Sequence, residues 1–406
     1  MATNENRQRK ASRYVVPVAV AGVAAATIGL VPALAASGDP DLPQITAQQL
    51  IEKIAASDTQ TLSGTFRIST DLGLPSFAGL LSGAGAGAGS GASSADPADK
   101  LTQLVSGSHT LRLAADGPER QKLTLVDGSD EYSLIHNGDD VWAYDSKSNE
   151  VFHEKTDGGR GEKKGEKGVP GTPKELADEV LKAAGDTTSI TVGGTAKVAG
   201  RDAYQLVIKP KQSGSTVESV KIAVDAGTGT PLKFTLNSVS GGKPVVDAGF
   251  TKIDFSKPDA SAFAFKAPKG AKVTEGTEGA EGGEGGLAGD KGGAHDQLPK
   301  GLEGALGDFG LGGAAGADGK GGFNVIGEGW TTIAKLDSGA PAPKTDEAPK
   351  EVQGFLDALG DKVSGKFGSG TVFKTKIVNA LMTDDGRVYV GAVTPQALVD
   401  AANAGK

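Results

Sequence analysis

The chain has 406 residues, a formal net charge of −8 and no cysteine. The acidic balance argues against a nucleic-acid-binding protein, because such proteins meet phosphate with a basic patch. The lack of cysteine excludes disulfides, cysteine nucleophiles and cysteine metal sites. Glycine contributes 62 residues, about twice its usual share, and its concentration in segments indicates linkers between folded parts.

Residues 1–36 are typical of an export signal peptide. A basic start containing Arg7, Arg9, Lys10 and Arg13 precedes an uncharged apolar run over 15–34 and small residues at the position that a signal peptidase recognises. We expect cleavage after Ala35 or Ala36, which gives an exported, extracytoplasmic protein. If it is not cleaved, the run is long enough to serve as an N-terminal membrane anchor.

Residues 37–273 are predicted to form one β-rich domain. Thr46 is a suitable N-cap for a helix over 46–56, whose apolar residues recur at helical spacing. Residues 61–70 alternate between apolar and polar, which predicts a half-buried strand. Residues 71–99 form an Ala/Gly-rich insert, and its apolar piece at 72–81 is a lid, a membrane-touching element or a loop folded back on its own core.

Short strands separated by turn residues then predict an antiparallel meander. Asn137 and Gly138 favour a tight hairpin turn. The following strand places Trp142 and Tyr144 on one face and Ala143 on the other. The strands are predicted at 110–114, 121–126, 131–136, 141–144 and 151–153.

A charged loop over 157–171 and a helix over 173–184 precede a second run of strands. Turns are expected at Gly193-Gly194 and at Gly200-Arg201. The strands are predicted at 203–209, 220–225, 232–239 and 245–254. Many strands with two short helices predict an α+β architecture, in which the helices cover one face of a strongly curved sheet.

Residues 274–322 are a Gly/Glu-rich linker with too few apolar residues to fold alone. Residues 323–406 are predicted to form a small α+β unit, with a strand that begins near Trp330, a helix over 351–359 and a final helix over 395–404. A strand over 371–382 is predicted to pair with 388–393. The connection Asp384-Asp385-Gly386 is expected to be a hairpin turn and lacks the further ligands of a calcium loop.

No set of residues indicates catalysis, so we expect neither an enzyme nor a cofactor. The four histidines form no known constellation, and no phosphate-binding loop or nucleophile elbow is present. His136 and His153 have aspartates nearby in sequence, but aspartate is far commoner in turns, so no metal site is expected.

The remaining feature is a set of apolar residues that alternation places on one side of the predicted sheet. They line either a filled core or a cavity that admits an acyl chain, and periodicity does not distinguish the two. The set is Phe66, Ile68, Leu111, Leu113, Leu123, Leu125, Leu134, Leu206, Ile208, Ile222, Val224, Phe234 and Leu236.

The segment 137–151, which contains Trp142 and Tyr144, resembles a hairpin of LolA-like and RseB (MucB)-like periplasmic proteins. Three further blocks resemble the same proteins in the same order, at 198–211, 220–233 and 250–270. The insert at 71–99 and the unit at 323–406 lie outside the LolA pattern. The Ala/Gly-rich composition would suit an actinobacterial member.

The resemblance implies an incomplete, unclosed antiparallel β-barrel that wraps over short helices and holds a hydrophobic cavity. LolA shelters the acyl chains of lipoproteins, whereas RseB-like proteins sense lipids or lipoproteins and regulate a membrane-bound partner. The leading hypothesis is therefore an exported protein that binds acyl chains of a lipid or lipoprotein. The alternatives are an RseB-like protein that binds the extracytoplasmic segment of a membrane-anchored envelope protein, and a structural cell-envelope domain.

Overall fold

The computed structural model describes residues 40–73, 107–155, 178, 181, 182, 184–276, 323–337 and 360–405. The chain divides into two compact units. The first contains Met1–Lys211 and Glu218–Gly279, and the second contains Gln212–Val217 and Ala280–Lys406.

The first unit is built on a twelve-stranded sheet, in the order β12-β6-β5-β4-β3-β2-β1-β11-β10-β9-β8-β7. The strand β12 pairs with β6 in parallel, and the other registers are antiparallel. The strands are β1 (Thr61–Thr70), β2 (Gly107–Asp116), β3 (Arg120–Asp127), β4 (Asp130–Asn137), β5 (Asp140–Asp145), β6 (Glu150–Lys155), β7 (Thr188–Val198), β8 (Arg201–Pro210), β9 (Val217–Asp225), β10 (Pro231–Ser238), β11 (Val246–Asp254) and β12 (Lys272–Glu275).

This sheet is curved and unclosed. Its ends, β12 and β7, are not paired with each other, yet β7 contacts β11, which lies four strands away in the sheet order. The predicted fold class, an incomplete antiparallel barrel with few helices, is confirmed.

The turns follow from the residues that occupy them. Between β4 and β5, Asn137 pairs with Asp140, and Gly138 adopts a positive φ of 64° as the first of two central residues. The predicted turn at Gly193-Gly194 is wrong, because β7 continues through it with a β-bulge. A side chain on Gly193 would approach the Cγ2 atom of Val207 to 2.9 Å, so glycine is required here by close strand packing.

The helix α1 (Ala47–Ala55) confirms the first predicted helix. Thr46 and Gln49 form a reciprocal capping box at its start, and Leu50 and Ile51 are buried. The segment before the helix is fixed to the sheet, because the Tyr204 hydroxyl donates to a carbonyl oxygen of that segment, at Pro43. The helix α1 itself packs against β7 and β8.

A closing segment, which we define as residues 255–276, returns the chain across the sheet. It contains a 3-10 turn, Ala260–Phe263, that contacts β3 and β4. Phe263 is fully buried, and the ring of Phe265 lies 5.4 Å from that of Trp142 and 5.8 Å from that of Tyr144. The segment ends in β12, so it covers the sheet face that carries Trp142.

The second unit is a six-stranded antiparallel sheet, in the order β13-β14-β18-β17-β16-β15, with one helix. Its core contains Leu381, Tyr389 and Leu398, which are fully buried. The elements are β13 (Phe323–Ile326), β14 (Ile333–Asp337), β15 (Gly360–Gly365), β16 (Gly368–Phe373), β17 (Asn379–Thr383), β18 (Arg387–Gly391) and α2 (Pro395–Ala404).

The predicted strand over 371–382 is wrong, since the structure has β16, a connection and β17 there. The Oδ1 atom of Asn379 accepts from the backbone N–H of Thr375 at 2.9 Å, and its Nδ2 atom donates to the carbonyl of Val393 at 2.7 Å. This buried amide holds the chain in a turn between the two strands. The expected hairpin turn between β17 and β18 is present, with Gly386 at a φ of 87°.

The segment 212–217, which leads from β8 into the first residue of β9, is part of the second unit. Thr216 donates from its backbone N–H to the carbonyl of Ala392 at 3.0 Å and from its hydroxyl to the carbonyl of Ile377. Ser215 bridges to Val393 as an isolated antiparallel pair. These bonds make the connection an additional extended segment of the second unit.

Several expectations fall outside the described residues. They are the signal peptide, most of the insert at 71–99, most of the helix at 173–184, the helix at 351–359 and the linker from 277 onward. Among the helices that the structure does describe, none has the length and hydropathy needed to cross a bilayer.

Candidate apolar binding face

Seven of the predicted apolar residues lie in register on one face of β1–β4. Leu123 pairs with Leu113 on one side and with Leu134 on the other, which gives an unbroken row across three strands. A parallel row, two residues along each strand, joins Phe66, Leu111 and Leu125. The seventh residue, Ile68, follows Phe66 at the same alternation, so all seven point to the same side.

The same face continues through β11 onto β10. Phe234 pairs with Ala248, which pairs with Ile68, so Phe234 and its alternate neighbour Leu236 share the side of the first seven. We call these nine residues the apolar face: Phe66, Ile68, Leu111, Leu113, Leu123, Leu125, Leu134, Phe234 and Leu236.

Sequence analysis missed one aromatic residue of this surface. Phe250 pairs with Phe66 across a β-bulge, and the two rings meet edge to face with centroids 5.0 Å apart. Phe250 lies two residues after Ala248, so alternation along β11 already places it on this side, and the register shift comes after it, before Lys252.

Most of the apolar face retains contact with solvent among the described residues. Leu111 and Leu125 are buried, whereas the other seven members are partly exposed. A closed core excludes water from residues of this kind, which are usually fully buried. The apolar face therefore has accessible apolar surface along neighbouring strands.

The reverse side of the sheet is covered at β4–β6, whereas on β1 and β2 it carries exposed arginine side chains. Ile135 and Val151 point to that side, with exposures of 1% and 0%, and Trp142, paired in register with Ile135, is packed against Phe265 of the closing segment. The contrast is sharpest on β4, where Ile135 is sealed and its neighbour Leu134, on the apolar face, is not.

The other four predicted residues form a separate patch on β8 and β9. Leu206 pairs with Ile222, and Ile208 and Val224 follow at the same alternation. Leu206, Ile208 and Val224 have exposures of 4%, 5% and 0%, so this patch is packed core apart from the partly exposed Ile222.

The described part of the first unit includes two clefts with mostly polar linings. One, of about 370 Å³, is lined by Asp58, Thr59, Gln60, Thr61 and Phe255. The other, of about 80 Å³, includes Leu125 among mostly polar residues. Leu125 is the one predicted residue that lines either of these two clefts, so they do not account for the exposed surface of the apolar face.

A charged cluster joins the first residue of β8, Arg201, to the last residue of β9, Asp225. Asp225 is 1% exposed and accepts from the Nε atom of Arg201, from its Nη2 atom at 3.1 Å, and from the backbone N–H of Thr228 at 2.7 Å. Burial alone would raise the pKa of Asp225, but the bonds from Arg201 and Thr228 and the charge of Arg201 outweigh it and lower this pKa. The cluster is structural, because its oxygens are already bonded.

The histidines of the described residues form no cluster of metal ligands. His153 does have acidic partners, but they lie on opposite sides of its ring. Its Nε2 atom is 2.8 Å from Asp140 and its Nδ1 atom is 2.7 Å from Glu275. Sequence proximity suggests the first partner, whereas the second comes from β12, 122 residues further along the chain.

Comparisons with known proteins give matches among solved structures alone. No protein-family model and no curated protein matches this sequence. The fold is similar to that of MucB. The Pseudomonas aeruginosa MucA/MucB complex matches 88% of this chain and 96% of that chain at 14% identity, with a TM-score of 0.36.

Two further structures match about half of this chain over nearly their whole length. A LolA superfamily protein from Nitrosomonas europaea covers 55% of this chain and 99% of its own at 11% identity, with a TM-score of 0.21. A putative outer membrane lipoprotein-sorting protein domain from Vibrio parahaemolyticus covers 53% and 95% at 12% identity, with a TM-score of 0.20.

Proposed function

We propose that this chain is an exported binding protein that holds acyl chains of a lipid or lipoprotein on the apolar face. The observation that carries the proposal is the difference between the two sides of β4, together with the exposure of the apolar face on the neighbouring strands. At β4 the side with Ile135 is covered by the closing segment, whereas seven of the nine residues of the apolar face are partly exposed.

The chemistry of the apolar face suits an acyl chain. One central row pairs leucine with leucine across β2, β3 and β4, and the next pairs Leu111 with Leu125 and Leu125 with Tyr132, so no charged side chain interrupts them. Moving an acyl chain from water onto such a surface gains about 0.8 kcal/mol per buried CH₂ group, without any specific polar contact. A surface of this composition selects for apolar length and leaves headgroup recognition to other residues.

The test compares two adjacent residues of β4 that point to opposite sides. Leu134→Ala removes part of the apolar face, and we expect it to reduce the lipid bound per folded molecule with a stability loss of about 1 kcal/mol. Ile135→Ala is the matched control. It leaves a cavity in the sealed side, so we expect a loss of about 3 kcal/mol and unchanged lipid per folded molecule.

The measurement is native mass spectrometry and lipid extraction of the mature protein, with urea unfolding of both variants. A wild-type protein that carries no lipid and binds no acylated probe would contradict the proposal, as would equal lipid loss in the two variants. Recovery of a membrane protein instead of lipid would favour the regulatory alternative, in which the same face binds a partner's extracytoplasmic segment.

A further inference from the structure

The ring of His153 lies between two carboxylates and against an indole. It is 8% exposed, and its two nitrogens lie 2.8 Å from Asp140 of β5 and 2.7 Å from Glu275 of β12. The ring stacks on Trp142 with centroids 3.6 Å apart and an interplanar angle of 12°. Every polar atom of the imidazole therefore faces an anion.

This arrangement is complete only when the ring carries two protons. A neutral imidazole has one N–H, so it donates to one carboxylate and turns a lone pair toward the other. The imidazolium donates to both, and the face of Trp142 favours a cation as well. The strand pairing also places the charged residue Lys155 opposite Asp140, next to His153 and its two carboxylates.

The strand that depends on this contact is short and weakly held. The four residues of β12 pair in register with Glu150–His153 at the edge of β6, and backbone bonds from Lys272 N–H to the carbonyl of Asn149 and from Gly276 N–H to that of His153 flank this ladder. The ion pair between Lys272 and Glu150 has a 71% exposed lysine and contributes little. The bond from the buried His153 to Glu275 is the stronger attachment, since charge-assisted bonds exceed neutral ones.

We propose that β12 is a strap on the edge of β6 that is closed when His153 is protonated and opens when His153 is neutral. Glu275 is the partner that leaves, because it is 67% exposed on a four-residue strand, whereas Asp140 is held within the β4–β5 hairpin. Opening exposes the unpaired N–H and C=O groups of β6, which is the kind of surface that accepts an additional strand. The strap thus makes access to this edge depend on acidity.

The test is amide hydrogen exchange of residues 272–276 between pH 5 and pH 9, expressed as protection factors so that intrinsic exchange is removed. Histidine changes charge within this range, and NMR of the His153 ring reports its protonation. We expect protection of β12 to fall by about tenfold or more as the ring loses its proton, with the same midpoint, while amides of β4 stay protected.

Three variants distinguish the strap from a merely structural contact. Asp140→Asn lets a neutral His153 accept on one nitrogen and donate to Glu275 from the other, so β12 should stay closed at every pH. Glu275→Ala should leave it open at every pH. Lys272→Gln should lower protection uniformly and preserve the pH dependence. Constant protection of wild-type β12 across the range, or an identical response of Asp140→Asn and Glu275→Ala, would overturn the proposal.

Discussion

Replacing Asp225 by asparagine tests how much the buried ion pair contributes to the first unit. The Oδ1 atom accepts from the backbone N–H groups of Gly227 and Thr228, and an amide oxygen keeps these bonds. The Oδ2 atom accepts from the Nε atom of Arg201. In the asparagine variant an NH₂ group faces that donor, so one charge-assisted bond is lost.

The expected cost of Asp225→Asn is about 2 kcal/mol. A hydrogen bond to a charged group contributes about 1.5–3 kcal/mol, and Arg201, which is 37% exposed, regains part of this from water. Asp225→Ala also removes the acceptor for the turn, so about 4 kcal/mol is expected. The matched control is Asp202→Asn, which breaks an exposed pair with Lys197 and should cost at most about 0.5 kcal/mol.

The assay is urea unfolding followed by tryptophan fluorescence. The chain has two tryptophans, Trp142 in the first unit and Trp330 in the second, so Trp330→Phe makes the signal specific for the first unit. The destabilisation should shift the midpoint at constant m.

The pH dependence has a definite sign. The pKa of Asp225 is lowered in the folded protein. Its contribution is therefore present above the unfolded value, about 3.9, and is lost as the pH falls through the folded value. The gap between wild type and Asp225→Asn should narrow as the pH falls from 5 toward 2. The reasoning is refuted if Asp225→Asn costs no more than Asp202→Asn, or if its cost is the same at both ends of this range.

Two further substitutions probe close backbone contacts, both by urea unfolding. Gly64→Ala should lower the free energy of unfolding by about 2 kcal/mol or more, because its Cβ atom would lie 2.4 Å from the carbonyl oxygen of Lys252. The control Gly138→Ala meets no atom but has a positive φ, so it should lower this free energy by about 1 kcal/mol. Equal losses in the two variants would argue against the close approach at Gly64. Thr216→Val should destabilise the second unit by about 1–2 kcal/mol, because the carbonyl of Ile377 loses its hydroxyl donor. The fluorescence of Trp330 in a Trp142→Phe background reports this unit. The control Ser213→Ala changes an exposed residue and should leave the Trp330 transition unshifted. An unshifted transition for Thr216→Val as well would contradict the reasoning.

Much of the first sheet could be predicted because its strands alternate between two environments. The register confirms the predicted arrangement on β5, with Trp142 and Tyr144 on one side and Ala143 on the other. The predicted strand pieces of the meander all fall within β2–β6. A period of two is a local property, so sequence alone reveals it.

Features that depend on distant partners could not be predicted in this way. Gly193-Gly194 has the composition of a turn, and its close approach to Val207 is visible only once the strands are paired. The strand β12 has four residues and pairs in parallel, so it carries too short a pattern to be recognised. The apolar set was predicted as one surface, yet Leu206 and Val224 belong to packed core, since coverage is decided by packing and not by alternation.

The position of residues 212–217 has a consequence for the order in which the second unit is synthesised and folds. Thr216 meets Ile377, 161 positions later, so the second unit needs a piece of chain that is synthesised long before the rest of it. Contacts of such separation form slowly, because the intervening chain must be brought together first. Until the last strands have been made, those six residues remain without their partners, and a chain that stops early cannot complete the second unit.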